Sequence, residues 1–175
     1  MSFKDANGHC HSNKCHVTES KYLARFVATQ GPIIPPPERV LSFGSLRGDT
    51  VTDTTPVMTP VPFSVAGPLS KVTVSPTGNE LVVSESGVYQ VTLSINAIAF
   101  AAPDPGQNYL TASITVNGAP IFTQGLAVFN ITSRNSSTFV VQAALNAGDS
   151  VGASATSDDP IFGYLNRSLT ILQLN

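Results

Sequence analysis

Residues 87–100 read GVYQVTLSINAIAF, and this stretch decides the fold. Tyr89, Val91, Leu93, Ile95, Ala97 and Ala99 take every second position, with Gln90, Thr92, Ser94 and Asn96 between them. Successive side chains of a β-strand point to opposite faces, so an apolar set of period two marks a strand with one face in a core. The same pattern recurs downstream. In YLTASITVNGAPIFTQ, residues 109–124, Leu110, Ala112, Ile114 and Val116 share a face, and Asn117-Gly118 then predicts a tight hairpin turn. In SSTFVVQAALNAGD, residues 136–149, Phe139, Val141, Ala143 and Leu145 are expected inward, and Asn146 to Asp149 turn the chain into DSVGASATS. NRSLTILQLN, residues 166–175, reads as a last strand.

Shorter strand candidates precede these at RVLSFGS (39–45), TPVPFSV (59–65), SKVTVS (70–75) and ELVVSES (80–86). Gly, Pro, Asn and Asp punctuate them, and no convincing helix lies beyond residue 38. The expectation is an all-β sandwich or barrel of about eight to ten strands spaced ~8–12 residues apart. Some strands are apolar on both faces. Ile171 and Leu172 point opposite ways, as do Val140 and Val141. A sandwich buries one face of each sheet, so a second apolar face implies a contact with another subunit.

Composition agrees with that inference. Hydrophobic residues make up 42% of the 175 and charged residues 11%, against the ~25% charged of an average protein. Net charge is −2, and no lysine-arginine run exists to track phosphates, so no nucleic-acid partner is expected. No stretch approaches the ~20 apolar residues of a membrane helix, and no membrane partner is expected. The opening MSFKDANGHCHSNKC lacks the apolar segment of a secretory signal, so synthesis in a cytosol is expected.

The chain changes character near residue 38. Residues 1–20 are polar, 21–30 (KYLARFVATQ) are mildly apolar, and 31–38 (GPIIPPPE) form a stiff proline spacer. Three segments are therefore expected: a connector arm over 1–30, the spacer over 31–38, and a β-domain over 39–175. HCHSNKCH, residues 9–16, holds both cysteines and all three histidines. Three chemistries compete for it: a metal site, a redox site and a covalent clasp. His9, Cys10, His11, Cys15 and His16 are zinc ligands by type. However, structural zinc sites separate two ligand pairs by a folded loop, and this octapeptide has none. The Cys spacing is C-x4-C, unlike the C-x2-C of redox motifs. No metal and no cofactor is expected. An extended arm of this length reaches roughly 100 Å, enough to meet a neighbouring subunit. Docking of the arm on that neighbour is favoured, with Tyr22, Leu23, Phe26 and Val27 supplying burial and Cys10 and Cys15 open to a disulfide. An extended arm can also add a strand to a neighbour's sheet edge.

No enzyme is expected, because histidine is confined to the arm and the domain has no Ser-His-Asp set. The carboxylate pair Asp158-Asp159, before Pro160, reads as turn chemistry. The glycosylation sequons at Asn130, Asn135 and Asn166 read as chance in a small-polar sequence.

Three segments together carry a resemblance: Gly87 and Tyr89 in ESGVYQVTLSINA, Leu145 to Asp149 in LNAGDSVGASAT, and Ser168 to Leu174 in RSLTILQLN. Residues 38–175 resemble the complement-head and tumour-necrosis-factor-like jelly rolls, most of all their versions on Bacillus spores. These include heads of collagen-like exosporium glycoproteins, exosporium basal-layer proteins and subunits of endospore appendage fibres. The resemblance implies a jelly roll that trimerises with its C-terminal strand near the threefold axis, which puts Leu172 and Leu174 at the trimer interface. It also implies an N-terminal, cysteine-bearing connector that docks into the next subunit layer. The chain has no Gly-X-Y repeat, which favours a fibre, anchor or layer subunit over a collagen-stalked filament. The expected function is a structural, self-assembling subunit of the spore surface, a homotrimer stacked into a higher polymer alongside other spore-surface proteins. The alternative is a trimeric binding head that recognises a receptor, a glycan or another spore protein through loops such as 102–108 and 157–165.

Overall fold

The alternating stretch becomes strand β7 (Gly87–Ala99), from which one sheet spreads on both sides. A computed structural model describes residues 40–102, 109–122, 127–130, 134–159 and 161–175. The sequence expectations for the arm and the proline spacer lie outside these residues. Among the described residues the chain forms strands and no helix. In order these are β1 (Phe43–Gly48), β2 (Thr52–Asp53), β3 (Thr59–Pro60), β4 (Val65–Ser70), β5 (Val72–Val74) and β6 (Leu81–Val83). After β7 come β8 (Tyr109–Val116), β9 (Ala119–Pro120), β10 (Ala127–Asn130), β11 (Arg134–Leu145), β12 (Ser150–Ser157) and β13 (Phe162–Gln173). Three of them, β2, β3 and β9, are only two residues long, which leaves ten of three residues or more.

Two antiparallel sheets form. One runs β11-β7-β13-β1-β4 with β2 beside β13, and the other runs β10-β8-β12-β6-β5 with β3 on β12 and β9 on β8. From β10 onward the chain changes sheet with each strand, and the first strand ends beside the last. Register turns the sequence period into a core. Phe139, Leu93, Leu169 and Leu46 lie side by side across four strands, and Val141, Val91, Ile171 and Gly44 form the next row. These inward rows meet Leu110, Ala112 and Ile114 of β8 and Val151, Ala153 and Ala155 of β12 in one hydrophobic cluster. The alternation therefore has its physical cause in the water-free space between the two sheets.

Turn chemistry falls where the sequence puts it. Asn117 and Gly118 both have positive φ, at 52° and 77°, as a two-residue hairpin demands. Beside it, the Asn146–Asp149 turn is built on Asp149, whose carboxylate accepts from the Asn146 N–H at 2.7 Å. The two turns are tied together. Asn117 Nδ2 donates to Asp149 Oδ1 at 2.9 Å, and the Ser150 N–H donates to Asn117 Oδ1 at 2.9 Å. Hydrogen bonds from Asn117 and then from Asn146 hold the Asp149 carboxyl below its ordinary range.

Three departures from the expected strand boundaries have a local cause. The first strand begins at Phe43, because the Gln173 side chain takes up the preceding residue: its Oε1 accepts from Ser42 N–H at 3.1 Å and Ser42 Oγ at 2.9 Å. The expected strand at 59–65 splits into β3 and β4, since Pro60 and Pro62 cannot donate to a ladder. Pro68 is tolerated because β4 lies at a sheet edge. The last strand starts at Phe162, four residues before expectation. Its register on β7 shifts between Leu165 and Arg167, and Asn166 is the extra residue, held at a φ of 38°. Phe162 and Tyr164 point inward before this bulge, and Leu169 and Ile171 after it. The bulge changes parity mid-strand, so a single alternation cannot span it.

Candidate assembly surface

The outward face of the β11-β7-β13-β1 sheet is made by the other half of each alternation. Three rows cross it: Gln142, Gln90, Leu172 and Phe43; Val140, Thr92, Thr170 and Ser45; Thr138, Ser94, Ser168 and Arg47. Arg47 is the only charge in these rows. Phe43 is 37% exposed, Leu172 40%, Leu174 42% and Val140 54%. Phe43 and Leu172 are directly paired in register, and Leu174 continues the line, its N–H donating to the Val88 carbonyl at 2.8 Å. The small hydroxyls close on each other: Thr138 Oγ1 donates to Ser94 Oγ at 2.9 Å, and Ser136 Oγ to Asn96 Oδ1 at 2.6 Å. The face is thus nearly uncharged and apolar at one end.

At its other end the bulge opens a cleft of about 560 Å³, lined by Arg47, Asp49, Ser64, Asn96, Asn166 and Ser168 among others. Arg167 lies beneath it, 3% exposed. The bulge puts this cation on the inward side, where backbone oxygens receive it. Its Nε donates to the Pro62 carbonyl at 2.8 Å, Nη1 to the Thr50 carbonyl, and Nη2 to Thr50 Oγ1 at 3.3 Å. The guanidinium also sits 5.4 Å from the centre of the Tyr164 ring. Burial pushes the Arg167 pKa down from its ordinary value, while Tyr164 and Asp49 oppose the shift. Burial likewise pushes the Tyr164 hydroxyl up. Gly48, opposite Arg167 in the ladder, leaves the room: a Cβ there would lie 2.6 Å from Arg167 Nε.

Of the residues singled out in sequence, Leu172 and Leu174 lie on this outward face. Cys10, Cys15, Tyr22, Leu23, Phe26 and Val27 lie outside the described residues. Asp159 works as a turn residue, its Oδ1 accepting from the Ile161 N–H at 3.0 Å and its carbonyl from Ser157 Oγ at 2.8 Å. The Arg167 pocket escaped the sequence reading. Its one signal was an arginine at the same parity as Leu169 and Ile171, a cation on an inward face.

Sheet order and register can be set beside solved structures. The S. frugiperda Eiger TNF structure is similar with a TM-score of 0.56 and 16% identity, over 78% of this chain and 94% of that one. The fold is a TNF-like jelly roll. Murine APRIL is similar with a TM-score of 0.53 and 13% identity, over 77% of this jelly-roll chain and 100% of its own. No protein-family model and no curated protein sequence matches the chain.

Proposed function

We propose that this chain is a structural subunit of a self-assembling spore-surface fibre or exosporium layer. Its jelly rolls associate as trimers through the outward face of the β7-β13-β1 strands, and the N-terminal arms join each trimer to the next. The observation that carries this reading is the nearly uncharged face with Phe43, Leu172, Leu174 and Val140 in solvent. Water around the adjoining Phe43, Leu172 and Leu174 side chains is a standing cost that a second copy removes. The TNF-like fold supports self-association of the domain. The LNAGD turn and the SLTILQL ending support the spore-surface setting through their resemblance to those proteins.

Electron microscopy of the full chain, with and without reductant, tests the reading beside a variant lacking residues 2–30. The full chain is expected to polymerise and the truncated chain to stop at discrete trimers. Fibres formed equally well by the truncated chain would remove the arm as the connector. A monodisperse single-chain particle at full length would end the whole proposal.

A further inference from the structure

The cleft at the bulge end of the sheet lies about 13 Å along the strands from the Phe43–Leu172 pair, since four residues at ~3.3 Å separate them. Its volume of about 560 Å³ falls within the ~300–1,000 Å³ of small-ligand sites. Two backbone features build it. The Asn166 bulge bends β13 locally, and Gly48 gives up the space that Arg167 fills.

The lining is unlike the rest of the face. Arg47 is exposed and has no ion pair among the described residues. A second guanidinium, Arg167, is held beneath by neutral oxygens, so its positive field is not cancelled by a hydrogen-bonded carboxylate. Asp49 is the one acid in the lining, which leaves the cleft with an excess of one positive charge. Around these charges stand uncharged hydrogen-bonding groups. They are the Ser168 hydroxyl, the Asn166 amide, and the Asn96 amide, whose oxygen already accepts from Ser136. A guanidinium fork matches a carboxylate through two parallel hydrogen bonds. Hydroxyls and amides match the hydroxyls of a sugar. Asp49 at the rim repels each added negative charge, so a monoanion fits better than a dianionic phosphate.

We infer that this cleft binds a small polyhydroxylated carboxylate of the sugar-acid class. Arg47 holds the carboxylate, and Ser168, Asn96 and Asn166 meet the hydroxyls. The site belongs to one chain but opens on the same outward face as the proposed trimer contact, so the inference rests on that contact being confined to the apolar Phe43–Leu172 end, about 13 Å away.

Equilibrium dialysis with labelled glucuronate tests this on the full chain, whatever its assembly state. Saturable binding is expected, together with loss of binding for the neutral methyl ester. Arg47→Gln should weaken glucuronate about tenfold or more, the usual effect of losing a charge-assisted hydrogen bond. Ser168→Ala, a milder change, should weaken it by a smaller factor. No saturable binding by the unmodified chain would overturn the inference, and so would equal affinity for glucuronate and its ester. If Arg47→Gln left glucuronate affinity intact and lowered the particle mass, Arg47 would belong to a subunit contact and the inference would fall. A monomeric wild type that still bound glucuronate would instead overturn only the assembly proposal.

Discussion

Replacing Leu172 by Asp puts the assembly surface under direct strain. Phe43, Leu172 and Leu174 are 37–42% exposed, which leaves roughly 70 Å² of each in water, about 210 Å² together. At ~25 cal/mol per Å², covering all three contributes about 5 kcal/mol per protomer, of which Leu172 supplies about 2. Aspartate forfeits that share and also places a carboxylate against an apolar surface, at a further cost of about 2 kcal/mol or more. The sum, about 4 kcal/mol, corresponds to roughly a thousandfold weaker association at each contact. The fold itself should tolerate the change. Leu172 faces outward, whereas its neighbours Ile171 and Gln173 are fully buried and keep their partners. The loss of strand propensity is at most about 1 kcal/mol. Sedimentation velocity across a dilution series reads the particle mass, and a thermal melt confirms folding. The expected result is a folded, smaller particle for L172D under conditions where the parent is oligomeric. An L172D protein of the parent's mass would refute the reasoning, since a charge cannot sit in that interface unnoticed.

Two further outcomes follow from the bulge and the paired turns. Gly48→Ala drives a methyl to 2.6 Å from Arg167 Nε, and the guanidinium cannot retreat without leaving the Pro62 and Thr50 oxygens; chemical denaturation should show a loss of about 1–3 kcal/mol, and an unchanged midpoint would mean that Arg167 is not held. The Asp149 pKa is depressed in the folded state, so its stabilisation is present above the unfolded value and is lost as pH falls through the lower folded value. Asn117→Gly keeps the positive φ and removes the amide. It should therefore raise the Asp149 pKa toward the ordinary carboxylate range and shrink that acid-side loss, as followed by carboxylate NMR titration, with an unmoved pKa as the contrary result.

The arm and its Cys/His cluster stand apart from these tests, because the connector role proposed for them comes from the sequence and is put to the truncation experiment. Within the domain, the clearest success of sequence reading is β7. Its alternation survives unchanged because both neighbours, β11 and β13, pair with it over nearly its whole length. The clearest shortfall is β13. The pattern from residue 166 predicts a short terminal strand, whereas β13 runs from Phe162 through a parity change at Asn166. The candidate site divides in the same way. Leu172 could be picked out as an apolar residue opposite Ile171, and Leu174 through the family resemblance, but the cleft beside Arg47 could not, since it is built from β1, β4, β7, β13 and two loops at once.

Residue order alone determined which segments extend, which face of each is apolar and where the tight turns fall. Those properties depend on neighbours two to four positions away and on the conformational limits of Gly, Pro and Asn. Only the tertiary structure decided which strands lie together, where the ladder slips, and that a glycine at 48 shelters an arginine at 167. Such contacts join residues more than a hundred positions apart, as Ser42 and Gln173 do across 131. They are selected by the fit of two sheets around a dry core, and no local pattern records that fit.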